Sequence, residues 1–192
     1  TQVTRYPWDG DVKITVAPEK KSTFTLAVRI PGWARNEPVP GDLYQFADTN
    51  TEPVTLAING KAAQFRVEDG YAKLRRSWTP GDVVELHLPM PVHRVVANPN
   101  VKADIGRVAL QRGPIVFCAE WPDNPGGKVL DLTLPDHEPL TAQFEPHLLN
   151  GVEVIKGRSL NAEKREQPFS AIPYFAWANR GPGEMTVWLH RE

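Results

Sequence analysis

Apolar and polar residues alternate strictly over Val12, Ile14 and Val16 against Lys13 and Thr15, and again over Phe24, Leu26, Val28 and Ile30 against Thr25, Ala27 and Arg29. A period of two belongs to a strand with one face in a core and the other in water, so both segments predict β-strands. The stretch "VTLAINGKAAQF" predicts a hairpin closed by Asn59-Gly60, because a two-residue type I′ loop needs positive φ at both central positions. Pairing Ile58 with Lys61 then puts Val54, Leu56, Ala63 and Phe65 on one face and Thr55, Ala57, Ala62 and Gln64 on the other. Further strands follow Asp69-Gly70 ("GYAKLRR") and Pro80-Gly81 ("DVVELHLP"), the latter with Val84, Leu86 and Leu88 inward.

Short strands at this spacing, punctuated by Gly and Pro, predict a β-sandwich. Pro89, Pro91 and the "ANPN" run at 97–100 break the rhythm, which puts a boundary there and predicts two domains, residues 1–97 and 98–192. The second half repeats the style in "GRVALQRGPIVFCAEW", "KVLDLTL", "LTAQF" and "GVEVI", with Pro114 marking a bulge or strand break. The fold class is therefore all-β: two tandem antiparallel, jelly-roll-like β-sandwiches with almost no helix beyond a turn around "HLLNG". "NAEKREQ", residues 161–167, reads as a solvated loop.

Two stretches do not fit plain strand chemistry. Residues 34–53 form a long irregular segment, and its Tyr44 and Phe46 suggest a loop that docks on something or folds back over a sandwich edge. The end of the chain, "IPYFAWANRGPGEMTVWL" (172–189), reads as a hairpin about its Asn-Arg-Gly-Pro-Gly turn. Pairing Trp177 with Met185 buries Phe175, Trp177, Val187 and Leu189 and leaves Tyr174 beside Trp188 outside. That register is preferred because it buries more large rings, each contributing roughly 1.5 to 3 kcal/mol. Tyr174, Trp188, Tyr44 and Phe46 are accordingly the candidate docking residues, and Asn179 and Arg180 the candidate ligand contacts.

Composition excludes more than it identifies. A formal net charge of -1 creates no field to attract nucleic acid or an anionic membrane, and no apolar run approaches the roughly 18 residues that span a bilayer. The single cysteine, Cys118, precludes an internal disulfide and leaves the compartment open. The opening Thr1-Gln2-Val3, without Met or a signal-peptide pattern, reads as part of a longer protein.

Candidate chemistry is sparse. Acid/base hydrolysis of a glycoside needs two carboxylates across a cleft; Asp9 and Asp11 flank Gly10 as turn residues do, and Glu120 and Glu184 carry no mutual constraint. His87, His93, His137, His147 and His190 lack metal-ligand spacing. Cys118, inside "IVFCAEW", reads as a small buried hydrophobe. From the residues alone this is a non-catalytic β module: a structural region of an enzyme, a carbohydrate-binding module or a free-standing interaction domain.

Five phrases in order, "YPWDGDVKITV", "FTLAVRIPGWA", "EDGYAKLRRSWTPGDVVELHLPMPV", "GRVALQRGPIVFCAE" and "IPYFAWANRGPGEMTVWL", resemble the C-terminal part of glycoside hydrolase family 127, the β-L-arabinofuranosidase-like enzymes. The resemblance implies an upstream (α/α)6 barrel that carries catalysis by a zinc-held cysteine thiolate, followed by two β-sandwiches. None of the catalytic positions maps onto this sequence, so no catalytic residue, cofactor or metal ligand is expected here. The implied partners are the protein's own upstream catalytic domain and a plant-type glycan substrate. Trp8, Trp33 and Trp78, at strand ends, suit either a docking edge or the sandwich core.

Overall fold

The computed structural model describes all 192 residues. The chain runs through β1 (Gln2–Thr4), β2 (Asp11–Val16), β3 (Ser22–Arg29), β4 (Tyr44–Phe46), β5 (Thr55–Ile58), β6 (Lys61–Ala62), β7 (Val67–Glu68), β8 (Tyr71–Trp78) and β9 (Asp82–His87). It continues with β10 (Val92–Ala97), β11 (Arg107–Arg112), β12 (Ile115–Glu120), β13 (Thr133–Leu134), β14 (Thr141–Glu145), β15 (Val152–Leu160), β16 (Glu166–Pro173), β17 (Met185–Thr186) and β18 (Leu189–Arg191). Helix is confined to short 3-10 turns, so the class is all-β. The residues around "HLLNG" form turns, with Leu149, Asn150 and Gly151 all at positive φ.

Contacts divide the chain into two units, one of residues 1–37 and 50–90, the other of residues 38–49 and 91–192. The division falls at Met90 and Pro91, earlier than the boundary expected at 97, because β10 begins at Val92 and pairs with β11. The long segment 34–53 does not stay with its sequence neighbours either. Its Tyr44–Phe46 strand pairs antiparallel with β10, Val95 opposite Phe46 and Ala97 opposite Tyr44. The segment supplies an edge strand to the sheet of the second unit.

In the first unit, a five-stranded antiparallel sheet (β1-β2-β9-β5-β6) and a three-stranded one (β3-β8-β7) share one apolar core. The buried Val16, Leu56, Val84 and Leu86 come from the first sheet and Val28, Ala72, Leu74 and Trp78 from the second. These are the inward positions of the alternation. Trp78 is 0% exposed, and its indole N–H donates to the Phe24 carbonyl at 3.1 Å, which satisfies the polar end of a core ring. Trp8 and Trp33 are half-buried. The Asn59-Gly60 hairpin has the expected register, Ile58 opposite Lys61, with φ of 51° and 73° at the two loop residues.

In the second unit, strand pairings close on themselves. β11 pairs with β12, β12 with β16, β16 with β15, β15 with β13, β13 with β18 in the single parallel pairing, and β18 returns to β11. A closed circuit removes free edges, as in a barrel; β10, β4, β14 and β17 extend it outward. The middle of β11 and all of β12 but Val116 are buried, so their sequences run largely apolar instead of alternating. Gly113, at φ 55°, and Pro114 form the tight turn between them, with Arg112 opposite Ile115, so Pro114 marks a strand break.

The hairpin expected over 172–189 does not form. β16 ends at Pro173, which pairs with Phe117, and Tyr174–Ala176 make a 3-10 turn. Met185 pairs with Glu120 of β12, not with Trp177. Phe175 and Trp177, expected inside, are 65% and 40% exposed, while the small Ala176 between them is buried. The two arms do not have only each other to pair with: β12 takes both of them, β16 near its middle and β17 at its end.

Candidate functional site

The densest polar cluster stands where β12 ends. Its last residue, Glu120, is 2% exposed, carried inward at the end of the apolar run Ile115–Ala119. The following 3-10 turn, Trp121–Asp123, brings a second carboxylate alongside. Arg180, sixty residues on, bridges the two: its Nε donates to Glu120 Oε2 at 3.1 Å, its Nη1 to Asp123 Oδ1 at 2.7 Å, and its Nη2 to both carboxylates. The hydrogen bonds it donates to Asp123, then those to Glu120, raise the guanidinium above its already high ordinary pKa despite partial burial. Glu120 Oε1 accepts the Ala178 amide at 2.9 Å. The neighbouring Asn124 is also buried: its amide group donates to the carbonyls of Glu120 (3.0 Å) and Ser170 (2.9 Å) and accepts from the Ser170 amide (3.1 Å).

This network fixes the loop over 174–184. Ala178 sits at φ 64°, a left-handed conformation that costs a residue with a Cβ, and the hydrogen bond to buried Glu120 holds it there. Asn179 turns its amide back onto the Ala176 and Trp177 carbonyls at 3.0 and 3.2 Å. Gly183 lies against the Trp121 indole so closely that a Cβ there would stand 2.1 Å from Trp121 Cδ1. Glu184 accepts the Val129 amide at 2.9 Å and the Lys128 ammonium at 2.7 Å, and these contacts lower its pKa. What the loop presents outward is aromatic: Tyr174 and Trp177 have nearly parallel rings, 6.3 Å apart and 14° from coplanar orientation.

The sequence-predicted site residues thus separate into groups. Tyr44 and Trp188 stack on each other at 5.7 Å, and Phe46 stacks on the buried His93 at 4.0 Å, so three of the four docking candidates are engaged within the second unit. Tyr174, the fourth, is 44% exposed. Asn179 and Arg180, the ligand-contact candidates, point back into the loop and the carboxylates that hold it. Sequence reasoning did not find Glu120 and Asp123 as partners of Arg180. The available signal was a glutamate closing an otherwise apolar strand, which must find a cation if it is buried.

Cys118 is buried next to this cluster, and desolvation first, then the Glu120 charge, pushes its thiol up to about 12. A thiol so raised carries almost no thiolate at neutral pH, so it is a packing residue and not a nucleophile. No group of three His, Cys, Asp or Glu side chains is gathered as a metal ion requires. The chain's residues therefore do not fit the zinc that the family resemblance attaches to the upstream barrel.

A second feature lies in the first unit, where the outer face of the five-stranded sheet forms an open groove of about 640 Å³ lined by Arg5, Asp11, Lys13, Thr55, Glu85 and His87, among others. His87 Nδ1 lies 2.6 Å from Asp11 Oδ1, and that hydrogen bond is the main cause of its raised pKa; Nε2 stands 3.6 Å from Glu52 Oε1. Asp9 accepts the Asp11 amide at 3.2 Å, the turn role its sequence suggested.

Two family models cover the chain: residues 1–90, which include the 38–49 segment of the second unit, match the β-L-arabinofuranosidase GH127 middle domain, and residues 92–190 match the glycoside hydrolase family 127 C-terminal domain. The chain belongs to glycoside hydrolase family 127 and corresponds to the middle and C-terminal region of β-L-arabinofuranosidase-like proteins. It is 34% identical to a non-reducing end β-L-arabinofuranosidase of Bifidobacterium longum, covering 99% of this chain and 30% of that protein. Among solved structures it is similar to a GH127 β-arabinofuranosidase (41% identity, TM-score 0.92, 100% of this chain and 31% of that one). It is also similar to a GH127 β-L-arabinofuranosidase from Geobacillus stearothermophilus T6 (42% identity, TM-score 0.86, 100% and 30%). The chain thus spans less than a third of the length of these relatives.

Proposed function

We propose that this chain is the non-catalytic accessory region of a β-L-arabinofuranosidase-like glycoside hydrolase, packing on and supporting an upstream (α/α)6 catalytic barrel. The observation that carries this reading is the pair of family matches, to a middle and a C-terminal domain, over less than a third of the relatives' length. The chemistry of the second unit agrees. Its buried carboxylate is committed to a guanidinium and a backbone amide, and its thiol is held protonated, so both act in architecture. The glycan is then a partner of the whole protein, bound and cleaved at groups the barrel supplies.

Hydrolysis of a chromogenic β-L-arabinofuranoside tests this. The full-length protein releases the chromophore, and residues 1–192 alone release none. Turnover by residues 1–192 would sink the proposal, as would a full-length protein inert on every arabinofuranoside.

A further inference from the structure

The loop after β16 combines two unfavourable features for the sake of three exposed rings. Ala178 is held left-handed, and a carboxylate is buried to anchor it, both of which cost free energy unless compensated. The result is that Tyr174, Phe175 and Trp177 stand 44%, 65% and 40% exposed within four residues. Rings of this size leave on the order of 300 Å² of ring surface exposed within this one turn, the scale at which a patch marks a contact. A loop with nothing to hold in place does not need a buried Glu120, a bridging Arg180 and an inturned Asn179 behind it.

We infer that the Tyr174–Phe175–Trp177 ledge is a docking surface, and that its occupant is the catalytic domain of the same protein. The inference rests on the reading above and adds which surface of the second unit makes the contact. Two observations select a protein over a sugar. Stacking on a glycan needs polar groups beside the rings to meet hydroxyls, but the amide and charged groups that follow the rings are already engaged: the Asn179 amide donates to two carbonyls, the Arg180 guanidinium to two carboxylates, and the Ala178 N–H to Glu120. The most exposed ring is Phe175, which has no polar handle and gains most from burial under apolar protein. The relatives that match the whole of this chain carry more than twice its length besides, enough to supply a covering domain.

Hydroxyl-radical footprinting of the full-length protein tests this without altering a residue. Modification of Tyr174, Phe175 and Trp177 is compared between the native protein and the same protein unfolded in urea. Because well-packed interfaces exclude solvent as interiors do, all three rings are expected to react at least about tenfold more slowly in the native protein. Native rates within about threefold of the unfolded ones, as surface rings of this exposure would give, overturn the inference. Protection that appears only when arabinan is added also overturns it and makes the ledge a glycan site. Turnover of the arabinofuranoside in the same sample separates the two proposals. Reactive rings on an active enzyme remove the docking surface alone, and an inactive protein removes the functional reading whatever the rings do.

Discussion

The two units solve the problem of a β core differently. The interior of the first is apolar: its buried side chains are Val, Ile, Leu, Ala and Trp, and its ion pairs, such as Lys73 with Glu68, lie on the surface. The buried polar and charged side chains, His93, Gln111, Glu120, Asn124, Thr133, Glu153 and Ser159, all belong to the second. A sandwich of alternating strands can place every polar residue outside. A closed circuit with strands such as β11 covered on both faces buries some of them, and Gln111, Glu120 and Asn124 find hydrogen-bond partners within. The difference assigns tolerance: the first unit depends on volume and shape, the second on particular hydrogen-bonded pairs, and the rigid loop that displays Tyr174, Phe175 and Trp177 is built on one of these.

The largest test of this contrast is Trp78→Ala. Removing a fully buried ring and its bond to the Phe24 carbonyl should cost about 3–5 kcal/mol, read as lost hydrogen-exchange protection of the β8 and β9 amides. Glu120→Ala comes next. It strands Ala178 N–H and halves the charge facing Arg180, and since Asp123 still pairs with the guanidinium the cost falls at the low end, about 3 kcal/mol, measured on β12 amides. Lys73→Ala, which breaks an exposed pair in the first unit, should leave protection unchanged. If Glu120→Ala proves as silent as Lys73→Ala, the contrast between the units fails.

Smaller effects refine the first unit. Gly60→Ala meets no atom within 4 Å but forces an alanine to φ 73°, so the loss should be about 1 kcal/mol and purely conformational. Gly60→Asn, which tolerates that region better, should recover part of it. His87→Gln should be pH-dependent. The Asp11 hydrogen bond raises the folded pKa of His87 above its ordinary 6.5, so the stabilisation is fully present below that value and is lost as pH rises through the folded one. Melting curves of wild type and variant should therefore differ most in mild acid and converge in alkali, with a small amplitude because the pair is half-exposed. A gap that widens with pH would contradict this.

The same contrast explains what could be read from the residues. In the first unit, Val12 to Val16, Phe24 to Ile30 and the Asn59-Gly60 hairpin announced strand, face and register, because one face was wet and the turn chemistry was local. In the second, "IVFCAEW" carries no alternation to read, and the destination of Glu120 depends on Arg180, which the circuit of strands brings to it. The terminal stretch failed for the same reason: its aromatic pattern was strand-like, but β12 had already taken the partners each arm would have used. Tyr44 to Phe46 could be suspected of docking from ring content alone, yet nothing local says that β10 is their edge.

That edge strand has a consequence for how the protein is made. β4 leaves the ribosome before β5 to β9 and long before β10, so the second unit's outermost strand has to wait, unpaired, while most of the first unit is synthesised. Cutting the gene at residue 90 would leave it behind and bare the flank of β10, an open template for aggregation. The shortest piece of this chain that keeps the second unit whole, residues 38–192, therefore has to carry residues 50–90 of the first as well.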